Sequence, residues 1–363
     1  MLAQLPPELC YIIFLFACTD TGTTGRSLSL VSRYIRATSA AYKLQSIALF
    51  GRTQLADFAT LLDNTPAHLR NTRFLYLNGN ETAAELAAMR NDKLQELEDA
   101  QAALAAVRGR ISAGDSEPVD KRAEGIALEE VRRAFLCGHA QLQEAQRGAA
   151  ELAFRVLQLL APSLEVLDIT LSTFAAGRLV ELDTTPMANL VNLTSSCGFP
   201  LVSGRTMPEL YPQLTHLHVI ASEHQWNLTS EYLAATSGIT TFAPRLTHLR
   251  LSSVEQGEAN LVNDLEAALQ PMAKGNLLPR TLQQLVLQLK AHIHCEDEAC
   301  VDAQTYRQLV AQARQLRDRD AHFFLLEPDE ESSPAADRYL GEWLDVAGGI
   351  SRAWNIAHIV DTN

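Results

Sequence analysis

The clearest pattern along the chain is a triplet of apolar residues with the spacing L-x-x-L-x-L. It occurs in full or nearly so in TRFLYL, LEVLDI, LVNLTS, LTHLHV, LTHLRL and LQQLVL, with a weaker copy in AHFFLLE. Because side chains alternate across a strand, the leucines of each copy face one side and can stack on the next copy. Helical patterns follow two of these strands, at 261–275 and 305–316. The pattern predicts an α/β protein with a parallel sheet.

The triplet is also the strand signature of a leucine-rich repeat, although the repeats here are irregular in length. We therefore predict a leucine-rich-repeat-like domain over 161–327, preceded by a linker and first repeat strand over 51–80. Ordinary βαβ layering is the alternative. The Ala-, Leu- and Glu-rich segment 81–160 predicts a helical insertion that a short linker can replace without unfolding the repeats. Residues 328–363 are expected to cap the open end.

The chain begins with a different pattern, a run from Leu9 to Cys18 without a charged residue or a polar face. A membrane helix needs about 20 apolar residues, so this run is about half the required length. No basic residue precedes it, which argues against a secretory signal. We expect a cytoplasmic or nuclear protein that buries this run against protein.

The run predicts a helix that is apolar on more than one side. Pro6, Pro7 and Glu8 suit the first turn of a helix. One stripe consists of Leu9, Ile12, Ile13 and Phe16, and a second consists of Cys10, Phe14 and Ala17. The segment 27–50 predicts one or two further short helices. A unit of about 45 residues is near the lower size limit for a core of its own, so it covers one stripe and leaves the other for a partner.

Composition and motifs exclude several classes of function. The chain has 43 acidic and 30 basic residues, which argues against nucleic-acid binding. Common motifs for hydrolases, metalloproteases and redox dithiols do not occur, so we predict no catalytic residue and no cofactor. The spacing of His292, His294, Cys295 and Cys300 matches no common zinc motif, and we predict no metal site.

The N-terminal residues resemble a known family. Leu5-Pro6-x-Glu8-Leu9, then Ile12, Ile13 and Phe16, and then LSLVSRYI over 28–35, is similar to an F-box. More narrowly it resembles the F-box-like opening common in proteins of mushroom-forming fungi. Ser32 stands where the family often has Cys, and Tyr34 where it often has Trp. The resemblance covers about the first 50 residues. It implies a three-helix unit that binds a Skp-family adaptor, which links the protein to a cullin scaffold.

The predicted fold is thus an N-terminal three-helix F-box over 1–50, followed by an irregular leucine-rich-repeat solenoid with a helical insertion. The predicted function is a non-catalytic substrate-recognition subunit of an F-box (SCF-type) cullin-RING ubiquitin ligase, with an unknown protein as substrate. A leucine-rich protein-binding scaffold without a ubiquitin role is the alternative. The residues expected to contact the adaptor are Pro6, Leu9, Ile13, Leu30 and Tyr34.

The substrate surface is predicted from the residues between the leucines, which should point away from the core. They are Asp168, Thr170, Asn192, Thr194, His216, His218, His248, Arg250, Gln284 and Gln288. We expect His216, His218, His248 and Arg250 to form an exposed cationic patch for an acidic or phosphorylated segment. Solvated strand residues without a binding role are the alternative. With a histidine pKa of about 6.5, such binding should strengthen below neutral pH.

Overall fold

The computed structural model describes residues 5–89, 118–171, 185–196, 210–221, 238–254, 261–270, 278–291, 301–329, 335–350 and 354. The centre of the fold is one sheet of eight parallel strands that lie side by side in chain order. The strands are β1 (Ser46–Phe50), β2 (Phe74–Asn78), β3 (Val166–Thr170), β4 (Asn192–Ser195), β5 (His216–Ile220), β6 (His248–Val254), β7 (Gln284–Lys290) and β8 (Phe323–Asp329). Parallel neighbours require crossover connections, which explains the long stretches between strands.

Helices precede, connect and follow the strands. They are α1 (Pro7–Ala17), α2 (Thr23–Val31), α3 (Arg33–Ser39), α4 (Gly51–Asp63), α5 (Pro118–Leu160), α6 (Gly238–Phe242), α7 (Leu261–Leu269), α8 (Val301–Arg319) and α9 (Ala335–Ala347), with a short 3-10 turn at Ala67–Leu69. Within the described ranges, no helix is both long and apolar enough to cross a membrane.

A ladder of leucines runs across one side of the sheet, which we call the leucine face. Leu75, Leu167, Leu193, Leu217, Leu249 and Leu285 are paired in register from β2 to β7. All six are almost completely buried, and they share one core cluster with residues of α4, α5, α7 and α8. Each fully buried leucine contributes about 1.5–3 kcal/mol, so this ladder stabilises the packing of neighbouring strands against the helices. All seven segments with the leucine triplet form strands, β2 to β8.

The predicted three-helix F-box is not present at the N-terminus, and the finer fold prediction is wrong. Ser32 alone separates α2 from α3, and the chain then enters β1 at Ser46 instead of forming more helix. β1 pairs with β2 along its whole length, which buries Leu49 and gives the backbone of Ser46–Phe50 its partners. The described residues therefore form an eight-stranded, all-parallel sheet with helices. The α/β class agrees with this fold, but the F-box followed by an irregular leucine-rich-repeat solenoid does not.

The end of α5 belongs to the core. Ala153, Val156, Leu157 and Leu160 are 0% exposed and lie in the same cluster as the leucine ladder. Residues 150–160 of the segment predicted to be a replaceable insertion thus belong to the core, and this helix packs against α4. The part between 90 and 117 lies outside the described residues.

The opposite side of the sheet, the second face, is partly covered by α9. Phe74 and Tyr76 of β2, Val166 of β3 and Ile220 of β5 form a second apolar cluster with α9. The residues of α9 in this cluster are Tyr339, Trp343 and Ala347, each at most 5% exposed. Residues 328–363 were expected to cap the open end of the repeats; within them, α9 lies against the second face of β2 and β3.

Candidate functional site

The first candidate site is the outer side of α1 and α2. The inner side of α1 carries Cys10, Phe14 and Cys18, which are buried against Ile35 of α3. The i, i+4 and i+8 spacing of these three residues places them on one side of the helix. The opposite stripe is therefore turned away from the protein.

That opposite stripe is open to solvent. We call the exposed large apolar side chains of α1 and α2 the N-terminal apolar patch. Its members and their exposed fractions are Leu9 (48%), Tyr11 (41%), Ile12 (54%), Ile13 (41%), Phe16 (73%), Leu30 (73%) and Val31 (64%). Single exposed apolar residues are normal on a protein surface, but seven on two short helices make this surface a candidate interaction site.

The structure places the five residues predicted to contact the adaptor differently. Pro6, Leu9, Ile13 and Leu30 are exposed. Tyr34 is only partly accessible, since its hydroxyl donates a hydrogen bond of 2.7 Å to the carbonyl oxygen of Leu5. Tyr34 thus helps to fix the chain before α1.

Four members of the patch, Tyr11, Ile12, Phe16 and Val31, were not among the residues predicted to contact the adaptor. Ile12 and Phe16 belong to the stripe that the i, i+3, i+4, i+7 spacing had already identified. The spacing therefore contained the signal for these two. Val31 sits at the end of α2, where the end of a short helix leaves it exposed, and no spacing rule indicates this.

Hydrogen bonds attach the patch to the sheet. The side-chain amide of Gln45 donates to the carbonyl oxygens of Leu15 (2.8 Å) and Cys18 (3.3 Å) at the end of α1. The Asp20 carboxylate accepts from the backbone N–H groups of Gly22 (3.0 Å) and Thr24 (2.9 Å) at the start of α2. Both helix ends are held where β1 begins, so the patch is presented in a fixed geometry.

The second candidate site is the polar part of the second face. His216 of β5 and His248 of β6 lie in register with stacked rings whose centroids are 4.4 Å apart. Each ring nitrogen Nδ1 lies 2.8 Å from the hydroxyl of the preceding threonine, Thr215 or Thr247. Trp354 lies against this pair, with its ring centroid 4.9 Å from that of His216.

A buried hydrogen-bond network continues from these rings. His218 Nε2 lies 2.9 Å from Ser252 Oγ. Arg250 donates to Ser252 Oγ (3.2 Å) and to Gln288 Oε1 (3.2 Å). It also contacts the Glu342 carboxylate of α9 at 3.3 Å. Charged groups are buried at low cost only when they are paired, and Arg250 has these partners.

The expected exposure of the cationic patch is wrong for two of its four residues. His218 is 2% exposed and Arg250 is 4% exposed, and Asp168 nearby is 3% exposed. His216 and His248 are partly accessible. The residues do face away from the leucine ladder, as the alternation of side chains predicts, but α9 and Trp354 cover them.

The histidines also titrate differently from the expectation. Burial and the neighbouring His248 lower the pKa of His216 to about 4. Burial, together with Arg250 and Arg338, holds the pKa of His218 well below its ordinary value. Burial lowers the pKa of His248 as well. The three imidazoles are therefore neutral near pH 7, and a gain of charge just below neutrality is not expected.

A small cavity lies between the second face and α9. Its lining includes Asp168, Asn192, Arg250, Trp343 and Trp354, and it has room for about one water molecule. Within the described part of the chain, Asp168 Oδ1, Asn192 Oδ1 and Trp343 Nε1 are buried without a hydrogen-bond partner. Burial and the nearby Glu342 raise the pKa of Asp168 well above its ordinary value. The polar groups at this contact are therefore incompletely matched.

Neither site has the arrangement of a metal centre. Among the residues that the structure describes, no group of three or more His, Cys, Asp or Glu side chains is placed to hold a metal ion. His292, His294, Cys295 and Cys300 all lie outside the described residues. A scan against protein-family models, a search of curated proteins and a search of solved structures each found no match.

Proposed function

We propose that this protein is a non-catalytic substrate-recognition subunit of an SCF-type cullin-RING ubiquitin ligase. It binds a Skp-family adaptor through the N-terminal apolar patch and a protein substrate through the second face of the sheet. The transfer of ubiquitin takes place on its partners. This role corresponds to a cytoplasmic or nuclear protein.

The single observation that carries the proposal is the N-terminal apolar patch. Four of its side chains, Ile12, Phe16, Leu30 and Val31, are more than half exposed. Covering them with a partner removes their remaining apolar surface from water at about 25 cal/mol per Å². The F-box-like sequence over 5–35 supports a Skp-family adaptor as that partner.

The anchoring of the patch supports the same role. Because Gln45 and Asp20 fix the ends of α1 and α2, the apolar side chains need little ordering when a partner arrives. Such preorganisation leaves more of the burial energy for affinity.

A protein-binding scaffold without a ubiquitin role is a second candidate. It is favoured by one observation, that the N-terminal helices lead directly into β1 and do not form a three-helix F-box. A scaffold uses the same patch for a different partner, so binding of the adaptor separates the two functions.

Assembly from purified components tests the proposal. The full-length protein, a Skp-family adaptor and a cullin are mixed, and the products are separated by gel filtration. We expect the three to elute as one complex, and we expect Phe16→Asp to remove this protein from it. If the adaptor and cullin assemble with a known F-box protein but leave this protein in its own peak, the ligase role is excluded and the scaffold remains.

A further inference from the structure

The contact between α9 and the second face has two parts, and the first is apolar. The ring of Trp343 lies 5.9 Å from that of Tyr76, and the ring of Tyr339 lies 5.8 Å from that of His218. Tyr339, Trp343 and Ala347 follow one another at i, i+4 and i+8, which is one side of a helix. The second face therefore accepts a helix that carries bulky rings one turn apart.

The second part is ionic. Glu342, three residues after Tyr339, meets Arg250 at 3.3 Å. Arg250 is 4% exposed and carries its charge at the centre of the second face. An occupant of this face thus needs an acidic group beside its aromatic rings.

Part of the hydrogen bonding on the sheet side of this contact joins strand residues to one another. His218 bonds to Ser252, and Arg250 bonds to Gln288 and Ser252, all of which are strand residues. The contact between the two elements is less complete, since Trp343 Nε1 of α9 and Asp168 Oδ1 of β3 are buried without a partner in the described residues. A buried polar group without a hydrogen-bond partner destabilises the contact that buries it. The second face therefore accepts a helix, but its contact with α9 leaves buried polar groups without hydrogen bonds.

We propose that the second face is a helix-binding site in which α9 is the intramolecular occupant. Its partner is a protein segment that forms an amphipathic helix with aromatic residues at i and i+4 and a glutamate at i+3. Resting on the proposed function, this segment is the part of the substrate that the ligase subunit recognises. It replaces α9 on the sheet, in the manner of an amphipathic helix binding in a groove.

Competition within the chain sets the expected affinities. A tethered helix has an effective concentration in the millimolar range, so α9 excludes a weak competitor from the wild-type protein. The apparent dissociation constant for an added helix equals the intrinsic constant divided by the fraction of molecules in which α9 is released. Weakening α9 must therefore strengthen the binding of an added helix.

A fluorescein-labelled peptide with the sequence of residues 335–350 serves as the probe, and fluorescence anisotropy measures its binding to full-length proteins. Glu342→Lys in the protein sets a positive charge against Arg250 and releases α9. Trp343→Ala releases it by removing the apolar contact. Gly341→Lys is the control, because this exposed position on the same helix has open space around it.

We expect the peptide to bind the Glu342→Lys protein at least about tenfold more tightly than the wild type or the Gly341→Lys control. A peptide with Trp343→Ala should not bind. The proposal is overturned if a folded Glu342→Lys or Trp343→Ala protein fails to bind the peptide, or if the altered peptide binds equally well. Unfolding of both protein variants would also overturn it, because α9 would then be part of the essential core.

Gel filtration and adaptor binding distinguish a substrate helix from a second copy of the chain, and this inference from the ligase role. A wild-type dimer on gel filtration that dissociates on Trp343→Ala would show that a second copy exchanges α9, and would overturn the assignment to a substrate. Adaptor binding is measured on the same preparations. If the variants with released α9 bind the adaptor but not the peptide, only this inference is overturned. If they bind the peptide but not the adaptor, only the ligase role is overturned.

Discussion

Leu217 and Leu30 are the same residue type in opposite surroundings, and replacing each with alanine separates folding from binding. Leu217 lies on β5 in the middle of the leucine ladder and is 0% exposed. Leu30 lies near the end of α2 in the N-terminal apolar patch and is 73% exposed. The chemical change is identical, so any difference in effect comes from the surroundings.

The expected magnitudes differ severalfold. Leu217→Ala loses a fully buried side chain and leaves a cavity, which costs about 3–5 kcal/mol of a total stability of about 5–15 kcal/mol. Leu30 buries only about a quarter of its surface, so Leu30→Ala costs less than about 0.8 kcal/mol, and the better helix propensity of alanine offsets part of this. The exposed three quarters of the Leu30 side chain contributes about 1–2 kcal/mol to binding if the adaptor covers it, which corresponds to about 5–30-fold in Kd.

Urea denaturation followed by circular dichroism measures the stability of both variants, and titration calorimetry with the adaptor measures affinity. We expect Leu217→Ala to lower the midpoint strongly and Leu30→Ala to leave it nearly unchanged while weakening adaptor binding. If Leu30→Ala destabilises the protein as much as Leu217→Ala, the N-terminal apolar patch is part of the packed core. If it leaves the affinity unchanged, the adaptor does not cover Leu30.

Three further substitutions test the packing and the electrostatics. A Cβ at Gly25 would lie 2.5 Å from the carbonyl oxygen of Lys43, so Gly25→Ala should lower Tm, whereas Gly148→Ala, with open space around it, should not. The raised pKa of Asp168 means that this group favours folding below its unfolded pKa of about 3.9 and loses that contribution as pH rises through the folded value. Asp168→Asn should therefore gain stability over the wild type as pH increases from 4 to 8, and an unchanging difference in denaturation midpoint would contradict the buried carboxyl. The pKa of His216 is lowered from 6.5 to about 4, so the wild type should lose stability as pH falls through this interval, and His216→Asn should lose less.

The strands with leucine triplets could be predicted because each buries one face in a large core. That burial imposes leucine at alternate positions, and the pattern is visible in seven local segments. β1 has the sequence SIALF and lacks the triplet. It becomes a strand because β2 offers it a partner, and this long-range pairing has no signal within residues 46–50.

The sequence predicts the candidate sites to the same extent: local spacing is visible, but packing between distant segments is not. The stripe spacing on α1 separated Cys10 and Phe14 from Leu9, Ile12, Ile13 and Phe16, since the helix fixes these relations, but it did not indicate which stripe the chain covers. The alternation along β5 and β6 likewise placed His218 and Arg250 away from the leucines. Their burial could not be predicted, because it depends on where α9 packs. The amphipathic pattern of α9 requires an apolar surface but does not specify which one.

Titration calorimetry of the full-length protein with a purified Skp-family adaptor tests the central claim most directly. Ile13→Asp places a charge in the N-terminal apolar patch, and Leu61→Asp is a matched control, because Ile13 is 41% exposed and Leu61, on α4, is 42% exposed. We predict that the wild type and Leu61→Asp bind with equal affinity and that Ile13→Asp binds at least tenfold more weakly, which corresponds to about 1.4 kcal/mol or more. Equal binding by all three proteins, or no binding by a folded wild type, would contradict the assignment of the patch to the adaptor.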